Sequence, residues 1–412
     1  MSKLQPARGT RDIYGEEARN MTAVVDHFKR VSAAYGFEEF VPPIFEFTEV
    51  YKRPLGEASD IVSKEMYTFE DRGGEELTLR PEFTAGVCRA FISNGMQQNM
   101  PCRLASHGPA FRYERPQKGR YRQFHQLNAE LIGQDSPEAD IDLIAMAWRL
   151  LKDLGLGDKV VLQLNSLGDK ESRTAYREKL VAYLDGHLDT LSEDSKRRLK
   201  TNPLRILDSK DEADKEIVAN APLLSDCLNE ASSVFFSSVK TGLEAVGVPF
   251  VHNERLVRGM DYYTHTAFEF VTEHLGAQGT VLAGGRYDGL IEQLGGPAVP
   301  GVGWAAGIER LAMLSELGEM PARGIVIMPM GEAATLKAFE LAEDMRSVGA
   351  AVTADRSGNM KKRMNRANKT NARLAVIIGD DELEKAVVTV KDLDSGEQNQ
   401  VAFADLAATV KV

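Results

Sequence analysis

Residues 111–130, FRYERPQKGRYRQFHQLNAE, constrain this chain more than any other stretch. They read as two strands joined by a tight cationic loop. Arg112, Arg115, Lys118, Arg120 and Arg122 crowd around one acid, Glu114, with Pro116 and Gly119 supplying turn chemistry between them. Beyond the loop, Gln126, Asn128 and Glu130 fall on alternate residues, so a strand places all three on one face. Such a face makes a poor core and a good polar pocket. The hairpin thus offers fixed positive charge at one end and hydrogen-bonding groups for a small cation at the other. That combination suits a nucleotide plus an amino acid. Read alone, the same pattern also fits an exposed hairpin whose charges face water.

The rest of the chain bounds the setting. At 412 residues it is too long for one ordinary core, which predicts two or three domains. Hydrophobic content of 43% and charged content of 27% describe a soluble globular protein. No apolar run reaches the ~18 residues of a membrane span, so no membrane partner is expected. The N-terminal MSKLQPARGTRD lacks the apolar stretch of a secretory signal. Cys88, Cys102 and Cys227 are few, odd in number and far apart, which predicts reduced thiols in the cytoplasm. Neither a CxxC zinc site nor an HxxxH pair is present, so no bound metal, zinc included, is expected. A net charge of −11 permits an RNA partner without predicting one, because phosphate binding depends on local potential.

Residues 1 to about 165 read as mixed structure, with a helix over 20–35. The segment YGFEEFVPPIFEFTEVY runs from a helix end into extended chain, Pro42 and Pro43 blocking helix; taken singly, a proline-broken loop fits it equally well. Asp140 can cap a helix whose apolar face holds Ile144, Trp148 and Leu151. Over about 168–239 charges become dense and helix formers dominate, which reads as a helical insertion. After 321–324, strands and helices alternate over the remaining stretch, predicting a small α/β domain with a mostly parallel sheet.

Three further segments carry candidate chemistry: LVRGMDYYTHTAFEF at 256–270, AGGRYDGL at 283–290 and GVGWAAGIERL at 301–311. The last spaces its glycines GxGxxxG, not as the GxGxxG of dinucleotide folds, and better suits a strand passing close beneath a ligand and turning into a helix. Arg310 rides on that helix away from Leu311 and Leu314. In TLRPEFTAG, extended alternation would put Glu82 and Thr84 on one face.

The order Phe-Arg-x-Glu, basic loop, polar strand resembles motif 2 of the class II aminoacyl-tRNA synthetases, and RPQKGRYRQFHQ resembles the histidyl-tRNA synthetases in particular. The segments at 256–270 and 283–290 resemble two stretches peculiar to that family, 301–311 resembles motif 3, and the proline-broken segment resembles motif 1, which builds the family's dimer interface. The resemblance covers nearly the whole chain. It implies an α+β protein: a class II catalytic domain over 1–320, built on an antiparallel sheet and carrying the helical insertion, plus a C-terminal α/β anticodon-binding domain over 321–412. It also implies a cytoplasmic homodimer that uses ATP with Mg2+, activates L-histidine as an adenylate and transfers it to the 3′ end of tRNA(His).

By the same resemblance, Arg112 and Arg258 are the catalytic residues at the α-phosphate, and Arg112, Glu114 and Arg310 bind ATP. Glu82, Thr84, Gln126, Glu130, Arg258, Tyr263 and Tyr287 bind histidine, while Arg115, Lys118 and Arg120 reach the tRNA acceptor end. Lys362, Arg366, Lys369 and Arg373 recur at helical spacing as a phosphate-facing stripe or a solvated face. Arg258 and Tyr263 have opposite strand parity, so the chain must bend between them if both face the substrate. Phe83, His265 and the pair Asn128–Ala129 depart from the family's commonest pattern, which bears on pocket shape. An alternative assignment is the synthetase-like regulatory subunit of histidine biosynthesis. Such subunits lack the C-terminal domain and lose catalytic residues, whereas Arg112, Arg258, Arg310 and a following domain are all present.

Overall fold

The computed structural model describes residues 3–410 apart from 57–58, 118, 210, 259, 261, 277–278 and 316–322. The chain forms two compact units, Met1–Leu317 and Gly318–Val412. The first contains strands β1 (Glu38–Glu39), β2 (Phe45–Phe47), β3 (Tyr67–Glu70), β4 (Glu76–Leu79), β5 (Cys102–Phe111), β6 (Gln123–Ile132), β7 (Val161–Ser166), β8 (Val251–His252), β9 (Thr264–Val271), β10 (Thr280–Arg286) and β11 (Gly301–Gly307). Eight of these form one sheet in the order β1-β5-β6-β11-β10-β9-β7-β8. All its internal pairs are antiparallel, while the short edge strands β1 and β8 pair parallel with their neighbours. Strands β2, β4 and β3 form a small antiparallel sheet of their own.

The strand period of two decides what lies on each face. Leu127, Ala129 and Leu131 of β6, with Val302, Trp304 and Ala306 of β11, join the core beneath one face. Covering that face are the helices Gly15–Ala34, Pro137–Asp153, Glu230–Ala245 and Ile308–Leu314. Met21, Val24, Phe28 and Val31 recur at helical spacing, which gives the first of these its buried stripe. The Trp304 ring meets Phe28 edge-on at 5.7 Å, and its indole N–H donates to the Leu143 carbonyl at 3.2 Å. Gln126, Asn128 and Glu130 occupy the other face of β6, as the alternation predicts.

Three expectations need correction. The helix predicted to start at Asp140 starts at Pro137, because Ser136 adopts the extended cap conformation and proline suits the first turn. Asp140 is then buried inside that first turn. The charge-dense insertion does contain helices, Lys170–Asp185, Glu193–Thr201 and Glu212–Ala219, but the following helix, Glu230–Ala245, belongs to the main core through Phe236, Val239 and Leu243. In the second unit, strands β12 (Ile325–Pro329), β13 (Val352–Ala354), β14 (Leu374–Ile378), β15 (Val387–Asp392) and β16 (Gln398–Ala402) lie in the order β13-β12-β14-β15-β16. Only β13, β12 and β14 run parallel; β15 and β16 are antiparallel additions, so the sheet is mixed. The turn between β15 and β16 explains the reversal: the Asp392 carboxylate accepts the N–H groups of Asp394 and Ser395, and Gly396 takes a positive φ of 77°.

A buried ion pair ties the glycine-rich strand to the helix Pro137–Asp153. Arg286 and Asp140 are both wholly buried and hydrogen-bonded to one another. Arg286 also donates to the carbonyls of Gln134 at 3.1 Å and Ser136 at 3.2 Å, and to Asp288 at 3.1 Å. Removing one partner leaves a buried charge uncompensated, so Asp140→Ala should lose about 3–5 kcal/mol of stability. A urea midpoint within error of the parent's would show that water or Asp288 suffices.

Candidate active site

The polar face of β6 faces helix Thr84–Ser93, the segment before β9, and the residue after β10. Glu130 is fully buried there. Its Oε1 accepts the Thr84 hydroxyl at 2.5 Å and the Asn128 amide at 2.9 Å, and its Oε2 accepts the Tyr287 hydroxyl. Burial pushes its pKa up to about 7 against the lowering effect of those three donors. Such a carboxyl can both accept and release a proton near neutrality.

Glycines make this packing possible. Opposite Glu130 in the register stands Gly303, where a Cβ would lie 1.6 Å from the Glu130 carboxylate oxygen. A Cβ on Gly301 would strike the Tyr287 ring at 2.2 Å, and one on Gly285 the Tyr263 ring at 2.8 Å. The glycines expected to pass beneath a ligand therefore pass against pocket side chains.

Glu82 and Thr84 are not in extended chain. Strand β4 ends at Leu79 and the helix begins at Thr84, and the two carboxylate oxygens of Glu82 accept the N–H groups of Thr84 and Ala85 at 2.7 and 2.8 Å. The helix start selects this turn, since its first N–H groups have no partner within the helix. Burial raises the Glu82 pKa, and the two amides work against that rise.

Above this layer is a cavity of about 470 Å³ whose lining includes Glu82, Thr84, Arg112, Gln126, Arg258 and Arg310. Glu114, Arg120 and Tyr263 line it as well. Gln126 directs a buried Oε1 that has no partner among the described residues. Arg112 is held by its Nε on the Pro81 carbonyl at 2.9 Å. Arg310 donates to the carbonyls of Thr280 at 2.6 Å and Gly119 at 3.3 Å. Burial, then the nearby charges of Arg120 and Arg112, pull the Arg310 pKa down. Arg258 is paired with Glu269, and its guanidinium lies 5.3 Å from the Tyr263 ring centre. Burial alone would lower the Arg258 pKa, but Tyr263 and Glu269 outweigh it and raise it. Guanidinium groups gathered in a half-buried cleft are a site for a polyanion.

Of the residues singled out from sequence, Glu82, Thr84, Arg112, Glu114, Gln126, Arg258, Tyr263 and Arg310 share this one cavity. Glu130 and Tyr287 lie outside its lining, joined to it through Thr84. Arg258 and Tyr263 both precede β9, so the parity of that strand does not govern them, and both line the cavity. Arg120 turns inward to pair with Glu114, Arg115 is exposed, and Lys118 lies outside the described residues. A second cavity of about 750 Å³ shares Arg112, Arg120 and Arg258 and adds Arg173, Arg198 and Arg205 from the insertion. Of the departures, Phe83 packs under Arg80 at 4.0 Å and Ala129 faces the helices. His265 lines a separate cavity of about 620 Å³, with a positive φ of 44°. Among the described residues, no group of three or more His, Cys, Asp or Glu side chains is placed to hold a metal, and no helix is long and apolar enough to cross a membrane.

Sequence reading missed Glu269, whose second oxygen accepts the Thr280 hydroxyl at 3.0 Å. The signal was present: in AFEF the acid alternates with Phe268 and Phe270, which face the core. It also missed Glu309, which accepts the His125 N–H and pairs with its ring, tying β6 to the helix that carries Arg310. Nothing in the sequence alone links those two positions.

The family model described as histidyl-tRNA synthetase matches residues 9–311, and that described as anticodon binding domain matches residues 324–412. A histidine–tRNA ligase of Gluconobacter oxydans is 58% identical over 99% of this chain and 98% of its own length. That of Rhodospirillum rubrum is 56% identical over 98% of each. Among solved structures, the apo histidyl-tRNA synthetase of S. aureus superposes with a TM-score of 0.84 at 34% identity, covering both chains fully.

Close approach at β11 makes a direct test. Gly303→Ala should displace Glu130 and cost about 1–3 kcal/mol on urea denaturation. Gly289→Ala, where the nearest atom to a new Cβ is the end of Gln293 at 3.7 Å, is the matched control and should cost much less. Equal losses in the two variants would remove the special role of Gly303.

Proposed function

This chain belongs to the histidyl-tRNA synthetase family, and we propose from that premise that it activates histidine with ATP and transfers it to the 3′ end of tRNA(His). The observation that carries the reading is the gathering of Arg112, Arg258 and Arg310 in one cavity with Glu82, Thr84 and Gln126. Those residues match the two ends of one reaction, a polyanion and a small ammonium-bearing substrate.

Activation requires the histidine carboxylate to attack the α-phosphorus of ATP and expel pyrophosphate. The carboxylate is ionised at neutral pH, so no general base is needed. The barrier is the approach of an anion to a polyanion, which positioning and fixed positive charge overcome. Arg112 and Arg258 stabilise the α-phosphate and Arg310 the γ-phosphate end, their planar forks matching phosphate oxygens. Glu114 orients the ATP site and keeps Arg120 inward. ATP enters as its magnesium complex, in which the metal would screen the phosphate charge beside these arginines.

The substrate ammonium is received by Gln126 Oε1, which has no partner among the described residues, together with Thr84 and Glu82. Its imidazole points towards Tyr263 and the Glu130–Tyr287 pair behind Thr84. An acceptor and a donor together complement the neutral ring. Arg115, Lys118 and Arg120, residues of the motif 2 loop, contact the tRNA acceptor end. Residues 1–320 perform the chemistry, and 321–412 engage the anticodon arm. Val41, Ile44, Phe45, Phe47 and Phe69 are exposed around the small sheet, and supply the apolar surface for a homodimer. The compartment is the cytoplasm, where the three cysteines stay free.

Histidine-dependent ATP–pyrophosphate exchange tests the activity, with other amino acids as controls; histidine binding without exchange would defeat the proposal. Arg258→Ala should reduce exchange by roughly 10²–10⁴-fold with the fold intact, and near-normal exchange would remove Arg258 from the mechanism. Deleting residues 321–412 should spare adenylate formation and raise the KM for tRNA. Unchanged charging kinetics would contradict the role given to that unit.

A further inference from the structure

We propose that Asn128 is a positioning residue for histidine selection, holding Glu130 as an ionised acceptor for the substrate imidazole. The inference rests on the histidine-activation reading and names a group that reading does not contain.

Asn128 is fully buried on the pocket face of β6, two residues before Glu130. Its Nδ2 donates to Glu130 Oε1 at 2.9 Å and to the Trp304 carbonyl at 3.2 Å. The reversed amide would set its oxygen against both of those acceptors, so the donor orientation is fixed by the two partners. The other donors to Glu130, Thr84 and Tyr287, are hydroxyls that can rotate their protons to a substrate. The amide has no such freedom. Its Oδ1 is buried without a partner among the described residues. A side chain placed there for stability alone would not leave that atom unpaired, because a buried unsatisfied carbonyl is costly. What the residue supplies is a permanent donor to Glu130.

Other ionisable groups face Glu130 from every side element packed on it. Glu82 and Cys88 come from the turn and helix at 82–93, Tyr262 and Tyr263 from the segment before β9, and Tyr287 from the end of β10. On β5 and β11 its register partners are Leu104 and Gly303, which do not titrate. Burial raises the pKa of the three tyrosines and of Cys88, and it also raises that of the two carboxyls, Glu82 and Glu130. Glu130 sits at about 7 with the Asn128 donor in place. Without it, the proton is held to higher pH and the acceptor is lost at neutrality.

The experiment compares wild type, Asn128→Leu and Asn128→Gly by pyrophosphate exchange across pH. Leucine keeps the number and branching of heavy atoms, removes the donor and excludes water, whereas glycine leaves room for a water to donate in place of the amide. If the midpoint rises by about one unit, the histidine KM of Asn128→Leu at neutral pH rises about fivefold, recovers at alkaline pH, and leaves kcat within about twofold. The glycine variant falls between. Titration of the substrate's own imidazole is common to all three and cancels in the comparison. A KM raised equally at every pH, with an unshifted midpoint, would overturn the proposal. If the leucine variant does not fold, the glycine variant must still shift upward. Independently of activity, the infrared carboxyl band that disappears in Glu130→Gln should titrate higher in the Asn128 variants than in wild type. An unchanged band midpoint defeats the role of Asn128, whereas absent exchange in wild type defeats the reading beneath it.

Discussion

A guanidinium with no access to water must be matched on all sides by acceptors, and Arg286 meets that demand at the centre of the first unit. Asp140, Asp288 and two carbonyls surround it. Satisfying them brings the end of β10 against the first turn of the helix Pro137–Asp153, and the next residue in the chain is Tyr287. The hydroxyl that meets Glu130 is therefore placed by a salt bridge buried on the way to the opposite core. Exchange of the pair for apolar residues need not cost stability, but it would release the residue that closes the pocket floor.

Around that anchor the sheet separates two kinds of work by parity alone. One set of alternate residues on β6, β9 and β11 builds an apolar core; the other presents Gln126, Asn128, Glu130 and Glu269. Antiparallel strands allow this because each face can be written independently in the sequence. The guanidinium groups are then supplied by what surrounds the strands: the motif 2 loop, the segment before β9 and the helix after β11. Polar acceptors are thus set on the rigid layer and cations on its edges, which suits two substrates held together, one with its ammonium deep and the other with its phosphates outward.

Much of this was legible in the chain. The polar face of β6 follows from spacing, and the glycine spacing excluded a dinucleotide fingerprint and pointed to close approach. What spacing could not give was the partner of each approach: that Gly303 leaves room for Glu130, and Gly301 for Tyr287, depends on strands far apart in sequence. Local rules also failed where the helix start at Thr84 overrode an extended reading of Glu82. Likewise Asp140 looked like a cap because caps are local, whereas its actual partner stands 146 residues away. The mixed sheet of the second unit turned on one aspartate organising a hairpin, where alternation of strands and helices had predicted a mostly parallel sheet.

The helix Met360–Lys369 carries its cations at spacing suited to phosphate, yet Asp355 already grips Arg366 through two bonds of 2.7 Å. Lys362, Lys369 and Arg373 remain exposed. A charge neutralised within the protein condenses no anion that RNA must displace, and frees no cation from the RNA when it docks. If this face meets a phosphate backbone, the ionic-strength dependence of that meeting follows from three side chains rather than four. Asp355 would thereby make any such recognition by this unit less a matter of bulk attraction and more one of shape.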